Sequence, residues 1–481
     1  MTKEVCIIGA GPAGLVTGKV FKTDGFDITI YEKFDAVGGT WAQERRYVNL
    51  NAQADEGLLE FSDKPHDTAF MDAEDIQEYL QDYARDFSLY EDIKFNNTVT
   101  GIEKKDRTWR VSVETGDKTQ TETFDYIIVC TGLYHIPHEP DIPKENKFSG
   151  EVYHSSEINT YNTFDRKDVI SVGFGKSALD MSVEAAKAGD SSTLLFRQAH
   201  WHLPRKLVFG KVPYPYMMFS RFGESLLPTY HNEDANRRID KLPKKLNNFL
   251  WKRVTDDLKR SAGLNRVADS MTPEETLPDG VHRAGVYPKE LFDFVEDGKI
   301  KPIKGEIDTF TENGLKLNDG QTLEADIIVW GTGFKQNFPF ICDDWNLKTD
   351  NGRFKAYRSI LPPSKDNIGF VGLRQAFNNF LTMETSAHWL SAYFNDEFDV
   401  PPEDELREHI DERVEWEKNE IPGLNGFGPY PYAAHLTDEL LNDLNIPTNQ
   451  APSLFAEYFK PVKARWYNDL HQKRSNALKS N

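Results

Sequence analysis

Glu4-Val-Cys-Ile-Ile-Gly9-Ala-Gly11-Pro-Ala-Gly14 decides the fold of this 481-residue chain: an apolar run breaks into three glycines at a fixed spacing. The run suits a strand buried in a parallel sheet, and 13–23 continues as a helix. Gly9 permits a tight turn, Gly11 removes the side chain that would block a pyrophosphate, and Gly14 lets helix and strand pack closely. Free N–H groups at the helix start then attract phosphate. Asp27-Ile-Thr-Ile-Tyr31 reads as the next strand, and Glu32 ends it, 23 residues after Gly9. An acid there accepts hydrogen bonds from ribose hydroxyls and repels a 2′-phosphate, so the first site favours FAD or NAD.

The pattern returns at Asp168-Val-Ile-Ser-Val-Gly173-Phe-Gly175-Lys-Ser177-Ala178, followed by a helix to Ala188 and a strand at 193–196. Here Arg197 stands 24 residues after Gly173, where the first copy has its acid. A guanidinium suits a 2′-phosphate and favours NADPH, although an arginine at a strand end is often only solvated. Two such loops, each in strand-to-helix context, imply two dinucleotides. A second echo places them in the chain. Asp125-Tyr-Ile-Ile-Val-Cys-Thr131-Gly132 and Asp326-Ile-Ile-Val-Trp-Gly-Thr332-Gly333 each put an acid six residues before Thr-Gly, after a hairpin-like stretch. Thr131, Gly132 and Gly333 join the glycine loops as candidate cofactor contacts.

The expected fold is therefore α/β, with two Rossmann-like dinucleotide-binding domains, the second inserted into the first. Residues 1–160 and 305–400 form the discontinuous first domain. Residues 161–304 form the second, with a basic helical insertion at about 201–285, and 401–481 form a C-terminal helical extension.

Composition narrows the function. The 57 Lys plus Arg against 77 Asp plus Glu give a net charge of −20, which argues against general nucleic-acid binding. Cys6, Cys130 and Cys342 are the only cysteines and lack a CxxC pair, so a disulfide framework, a thiol redox pair and a zinc site find no support, and no metal is expected. No run of about 18 apolar residues marks a transmembrane segment, and residues 5–16 are core strand and not a signal peptide. A cytoplasmic location is the default.

At this point the residues resemble the flavin-containing monooxygenases and their relatives, the Baeyer-Villiger and N-hydroxylating monooxygenases. The likeness rests on the two glycine loops, Glu32, Gly38-Gly39-Thr40-Trp41, Asp180, Trp330-Gly-Thr-Gly-Phe334, and Phe148-Ser-Gly150-Glu-Val-Tyr-His154-Ser155, which is similar to the family's FxGxxxH signature. It covers about residues 3–395. The signature's usual endings are replaced by Ile158-Asn159, which leaves the subclass open. The resemblance implies FAD at the first loop and NADPH at the second, with Gly39, Thr40 and Trp41 beside the flavin. His154 either contacts NADP with Ser155 or fills a hydrogen-bonded core position. Counting back from Leu59-Glu-Phe61, the family's flavin-facing asparagine falls on Gln53, with Asn51 nearby; either amide is a catalytic candidate.

The implied reaction is NADPH- and O2-dependent oxygenation of a small-molecule soft nucleophile, an amine nitrogen or a sulfide, through a C4a-(hydro)peroxyflavin. Baeyer-Villiger oxidation of a ketone is the alternative, and a flavin reductase without oxygen insertion is the reading from another class. The stretch 201–266, with 14 Lys or Arg against 6 Asp or Glu, reads as a funnel for NADPH, as a peripheral membrane patch or subunit interface, or as a solvated helix face. The C-terminal extension caps the substrate channel, packs on a second subunit as a homodimer, or docks as a terminal helix.

Overall fold

A computed structural model of the chain describes residues 2–207, 210–227, 230, 243–280, 284–342, 345–350, 352–363, 367–373, 376, 379–421 and 432–480. Two parallel five-stranded sheets organise it. The first has the order Ile368–Phe370, Tyr126–Val129, Glu4–Ile8, Asp27–Tyr31, Ile93–Lys94. Its central strand is almost wholly buried, as a strand covered on both faces must be.

The second sheet has the order Ile300–Lys304, Ser191–Phe196, Asp168–Val172, Ile327–Trp330, Glu151–His154. In each sheet the strand before a glycine loop is flanked on one side by the strand that follows it and on the other by a strand from much later in the chain. That arrangement is a topological switch point, where the crevice at the carboxyl ends of the strands opens to a ligand. The Thr-Gly echo now has a structural meaning. Thr131-Gly132 and Thr332-Gly333 each leave the far-side strand of one switch point, and their sheets repeat the same bonds: Gly9 N–H to Tyr31 O and Gly173 N–H to Leu195 O, both 2.8 Å.

The expected domain limits move. Glu151–His154 and Ile327–Trp330, assigned from sequence to the first unit, pair in parallel with each other in the second sheet, as does Ile300–Lys304 with Ser191–Phe196. The antiparallel strands Ile307–Thr311, Gly314–Leu317 and Thr322–Glu324 join them, their Phe310, Leu315 and Leu317 packing with Ile328 and Trp330. The second unit thus begins near 150 and ends near 335, not at 161 and 304, because an apolar strand run does not say which sheet will take it.

Between the sheets' strands run long excursions that shape the cavity. Helix Pro12–Thr23 packs on Asn379–Phe394, nearly all of whose residues are buried. The insertion contributes Tyr214–Met218 and Lys244–Ala262; the expected helix start at 241–242 lies outside the described residues. The C-terminal extension supplies Glu403–Glu420, Ala433–Asp443, Leu454–Phe459 and Leu470–Ser480. The last of these is docked: Arg474, 4% exposed, pairs with Asp24 and Glu397.

Candidate active site

Both glycine loops open into one continuous cavity of about 1700 Å³. A single small-molecule pocket occupies roughly 300–1,000 Å³, so this space suits more than one ligand. At the first loop, Gly9 holds φ +107°, and a Cβ on Gly14 would overlap the Gly9 carbonyl, so Gly14 serves helix-on-strand packing. Gly11 faces Gly39: a Cβ on Gly11 would come 3.5 Å from the Gly39 Cα. Gly39 (φ +58°) opens the short turn Gly39–Trp41, which brings Thr40 and Trp41 to the same wall. Where the two glycines approach, the cavity wall is bare backbone.

Glu32 is buried and lines the same cavity. One carboxylate oxygen accepts the Ala10 N–H (2.8 Å) and the other the Phe34 N–H (3.0 Å). A carboxylate has about four acceptor positions, so it keeps capacity for ribose hydroxyls. Lys33 and Arg45 line the cavity beside it, the Arg45 guanidinium 4.8 Å from the Phe34 ring centroid. Burial, with Arg45 close by, pushes the Lys33 ammonium down, and burial does the same to Arg45. Cations partly desolvated and held below their ordinary range gain most from an arriving anion.

At the second loop, Gly173 (φ +126°) would drive a Cβ into the Gly331 carbonyl region, and Gly175 caps helix Lys176–Ala188 with open space before it. Ser177 and Arg197 line the cavity. Lys304 lies in register with Phe196 on the adjacent strand, which places a second cation beside Arg197; it pairs with Glu274. Thr131 and Gly132, with φ +68° at Gly132, and Gly333, with φ +81°, line the cavity between the loops. The Thr131 hydroxyl is buried and lacks a hydrogen-bond partner among the described residues.

Asn51 and Gln53 both reach the cavity wall. Asn51 donates its side-chain N–H to the Asn49 carbonyl at 2.9 Å. Gln53 Oε1 accepts the Val286 N–H at 2.6 Å. His154 takes a hydrogen-bonded core position. It is fully buried, Nε2 lies 2.9 Å from the Gly333 carbonyl and Nδ1 2.7 Å from Ser156 Oγ, and neither it nor Ser155 lines the cavity. Burial holds the His154 imidazole below its ordinary pKa, and the ring anchors the Gly333 turn.

Sequence reasoning missed Lys33, Arg45, Lys304 and Asn379. Asn379 opens helix Asn379–Phe394 at the cavity, and its Oδ1 is buried without a partner among the described residues. Nothing local in Ile300-Lys-Pro-Ile-Lys304 singles out Lys304, and its place near Arg197 becomes visible only through sheet pairing.

Comparison with known proteins agrees with this geometry. Residues 2–426 match the family model described as flavin-binding monooxygenase-like. The chain is 26% identical to the probable flavin-containing monooxygenase 1 of Arabidopsis thaliana over 97% of this chain and 96% of that protein. It is 28% identical to a 4-hydroxybenzoate brominase (decarboxylating) of Marinomonas mediterranea over 77% of this chain and 70% of that one. Its fold is similar to that of a cyclohexanone monooxygenase from Rhodococcus sp. Phi1 bound to NADP+, with a TM-score of 0.68 at 18% identity, covering 92% of this chain and 97% of that one. Among the described residues no helix is long and apolar enough to cross a membrane, and no cluster of residues suits a metal ion.

Proposed function

The chain belongs to the flavin-binding monooxygenase-like family and is a flavin-dependent monooxygenase, and from that premise we propose that it seats FAD at the Gly9–Gly14 loop and NADPH at the Gly173–Ser177 loop. The substrate we propose is a small molecule with a soft nucleophilic atom, an amine nitrogen or a sulfide sulfur. The observation that carries the reading is the single cavity into which both glycine loops open.

The residues fit the two cofactors. Gly11 and Gly39 meet as a wall without side chains, against which a pyrophosphate can lie, and Glu32 retains acceptor capacity for a ribose. At the other loop, Arg197 and Lys304 supply two cations for a 2′-phosphate. When bound, the pair supplies hydride transfer to flavin and delivery of one oxygen atom of O2 to the substrate, with the other leaving as water.

The chain's own tasks are binding, orientation and exclusion of water. Leu50, Ala52, Leu59 and Met383 give the cavity apolar wall, and the Asn51, Gln53 and Asn379 amides give it neutral hydrogen-bonding groups. Neutral amides orient an oxygen-bearing partner without moving a proton. An apolar wall with amides suits an uncharged amine or sulfide and keeps bulk water away. The three free cysteines, two of them buried, fit a reducing cytoplasm, the setting we propose for a homodimer.

Product analysis tests the reading. Incubation with NADPH, labelled O2 and a panel of amines and sulfides is expected to give labelled N- or S-oxide. Labelled ester or lactone from ketones alone would assign the enzyme to Baeyer-Villiger oxidation instead.

A further inference from the structure

We infer that Gln53 and Tyr214 are positioning residues: together they latch the inserted segment 201–286 onto the flavin side of the cavity, and the C-terminal extension holds that segment from behind. The inference rests on the flavin-side reading of the first unit given above.

Gln53 belongs to the excursion between the strands Asp27–Tyr31 and Ile93–Lys94, so it is part of the first unit. Both of its carbonyl oxygens are spent on the insertion. Its side-chain Oε1 accepts the Val286 N–H at 2.6 Å, and its main-chain oxygen accepts the Tyr214 hydroxyl. A Cβ on Gly285 would sit 2.7 Å from Gln53 Oε1, so a residue with no side chain is what keeps the amide's seat open. Gly285–Val286 pairs in parallel with His202–Leu203, which ties the grip to the start of the insertion as well as its end. The Tyr214 ring is fully buried, 6.5 Å from Phe70 and 5.5 Å from Phe219, and the Arg205 guanidinium lies 4.3 Å over Phe70.

Behind Tyr214, the same stretch is gripped by the extension. Phe219 O accepts the Val462 N–H at 3.0 Å. Arg221 holds the Asp438 carboxylate through both terminal nitrogens and Glu457 through Nε. Glu224, fully buried, accepts the Ala434 N–H at 3.0 Å and the His435 ring at 2.7 Å. The extension then returns to the first unit, where Arg465 binds the buried Glu60 at 2.7 Å and Lys463 binds Glu56 at 2.8 Å. The contacts close a ring: residues 53–66, insertion, extension, residues 53–66. Buried polar networks of this kind hold one arrangement, because each broken bond leaves a desolvated group unpaired. With both oxygens committed, the side-chain NH2 is the part of the Gln53 amide left for the cavity it lines.

Amide hydrogen exchange on the FAD-loaded chain tests the latch, with NADPH oxidation and hydrogen peroxide release measured in parallel. Gln53→Leu removes the acceptor for Val286, Tyr214→Phe removes only a hydroxyl, and Gln53→Glu keeps an acceptor. Leu and Phe are expected to speed exchange across 284–287 by about tenfold, the worth of one such bond, and to raise peroxide released per NADPH consumed. Glu is expected to retain protection within about threefold of the parent. Gly285→Ala, which displaces Oε1 while leaving Gln53 in place, should match Leu and serves if Leu does not fold. Unchanged exchange in Leu and Phe, or equal loss in Glu and Leu, overturns the inference. If the variants show these exchange changes while the FAD-loaded parent fails to oxidise NADPH, the reaction reading sinks and the latch stands.

Discussion

The Tyr47 hydroxyl donates to the Asp180 carboxylate at 2.7 Å, joining the first unit's excursion to the helix that starts at the second glycine loop. Asp180 is 2% exposed and also takes the Lys176 ammonium; burial raises its carboxyl pKa against the pull of Lys176 and Tyr47. One turn on, Asn49 donates to Glu184 at 2.7 Å. The two nucleotide units are thereby registered through buried polar contacts and not through apolar surface alone. Tyr47→Phe should cost about 1–3 kcal/mol, since it leaves a buried carboxylate short of a donor. Urea unfolding of the two proteins side by side reads the difference, and matching midpoints would show that the bond carries nothing.

Gly11 separates cofactor binding from folding. Its φ is −75° and ψ −175°, extended backbone that any residue adopts and that Pro12 after it favours. Gly11→Val should therefore fold, with unchanged circular dichroism, but put a side chain on the bare wall beside Gly39 and emerge from purification nearly free of flavin. Full flavin content in that variant would place the cofactor elsewhere.

The proposed NADPH site gives Arg197 the phosphate that distinguishes NADPH from NADH. Arg197→Ala should raise the KM for NADPH by about 10–100-fold, the worth of one or two charge-assisted hydrogen bonds, and leave that for NADH within about twofold. Equal losses for both cofactors would mean that the guanidinium merely stabilises the strand end. Lys304→Met should act in the same direction, and it releases Glu274 from its ion pair.

The contact between insertion and extension carries a pH signature. Burial opposes the charged form of His435, but its hydrogen bond to Glu224 and the charges of Glu224 and Asp438 outweigh burial and Arg221, so its folded pKa lies above the ordinary value. A histidine whose pKa rises on folding contributes stability that is complete below its unfolded pKa of about 6.5 and is lost as pH climbs through the folded value. Melting temperature should therefore fall more steeply above about pH 6.5 in the parent than in His435→Gln. Parallel curves would show that the pair does not titrate in that window.

What was legible in the sequence was local. Gly9, Gly11, Gly14 and Glu32 read as a proposed phosphate loop because they fall within one strand–helix–strand unit, and the strands Glu4–Ile8 and Asp168–Val172 fall where the apolar runs put them. The domain limits were not legible, since the apolar run at 327–330 is equally suited to either sheet and only pairing with Glu151–His154 settles it. His154 carried a motif's prominence, yet its chemistry is spent on the Gly333 carbonyl. Lys304 reaches the cavity through its pairing with Phe196 and Asn379 through the packing of its helix on Pro12–Thr23, each across more than a hundred residues of sequence, which no spacing rule anticipates.

Stepwise anaerobic addition of NADPH to the purified, FAD-loaded chain tests the central claim, that both cradles serve one flavin in one cavity. One equivalent of NADPH should bleach the yellow absorbance, NADH should do so far more slowly, and admitting O2 should restore the colour. A chain that takes up no flavin, or one whose bound flavin stays yellow under excess NADPH, would contradict the account.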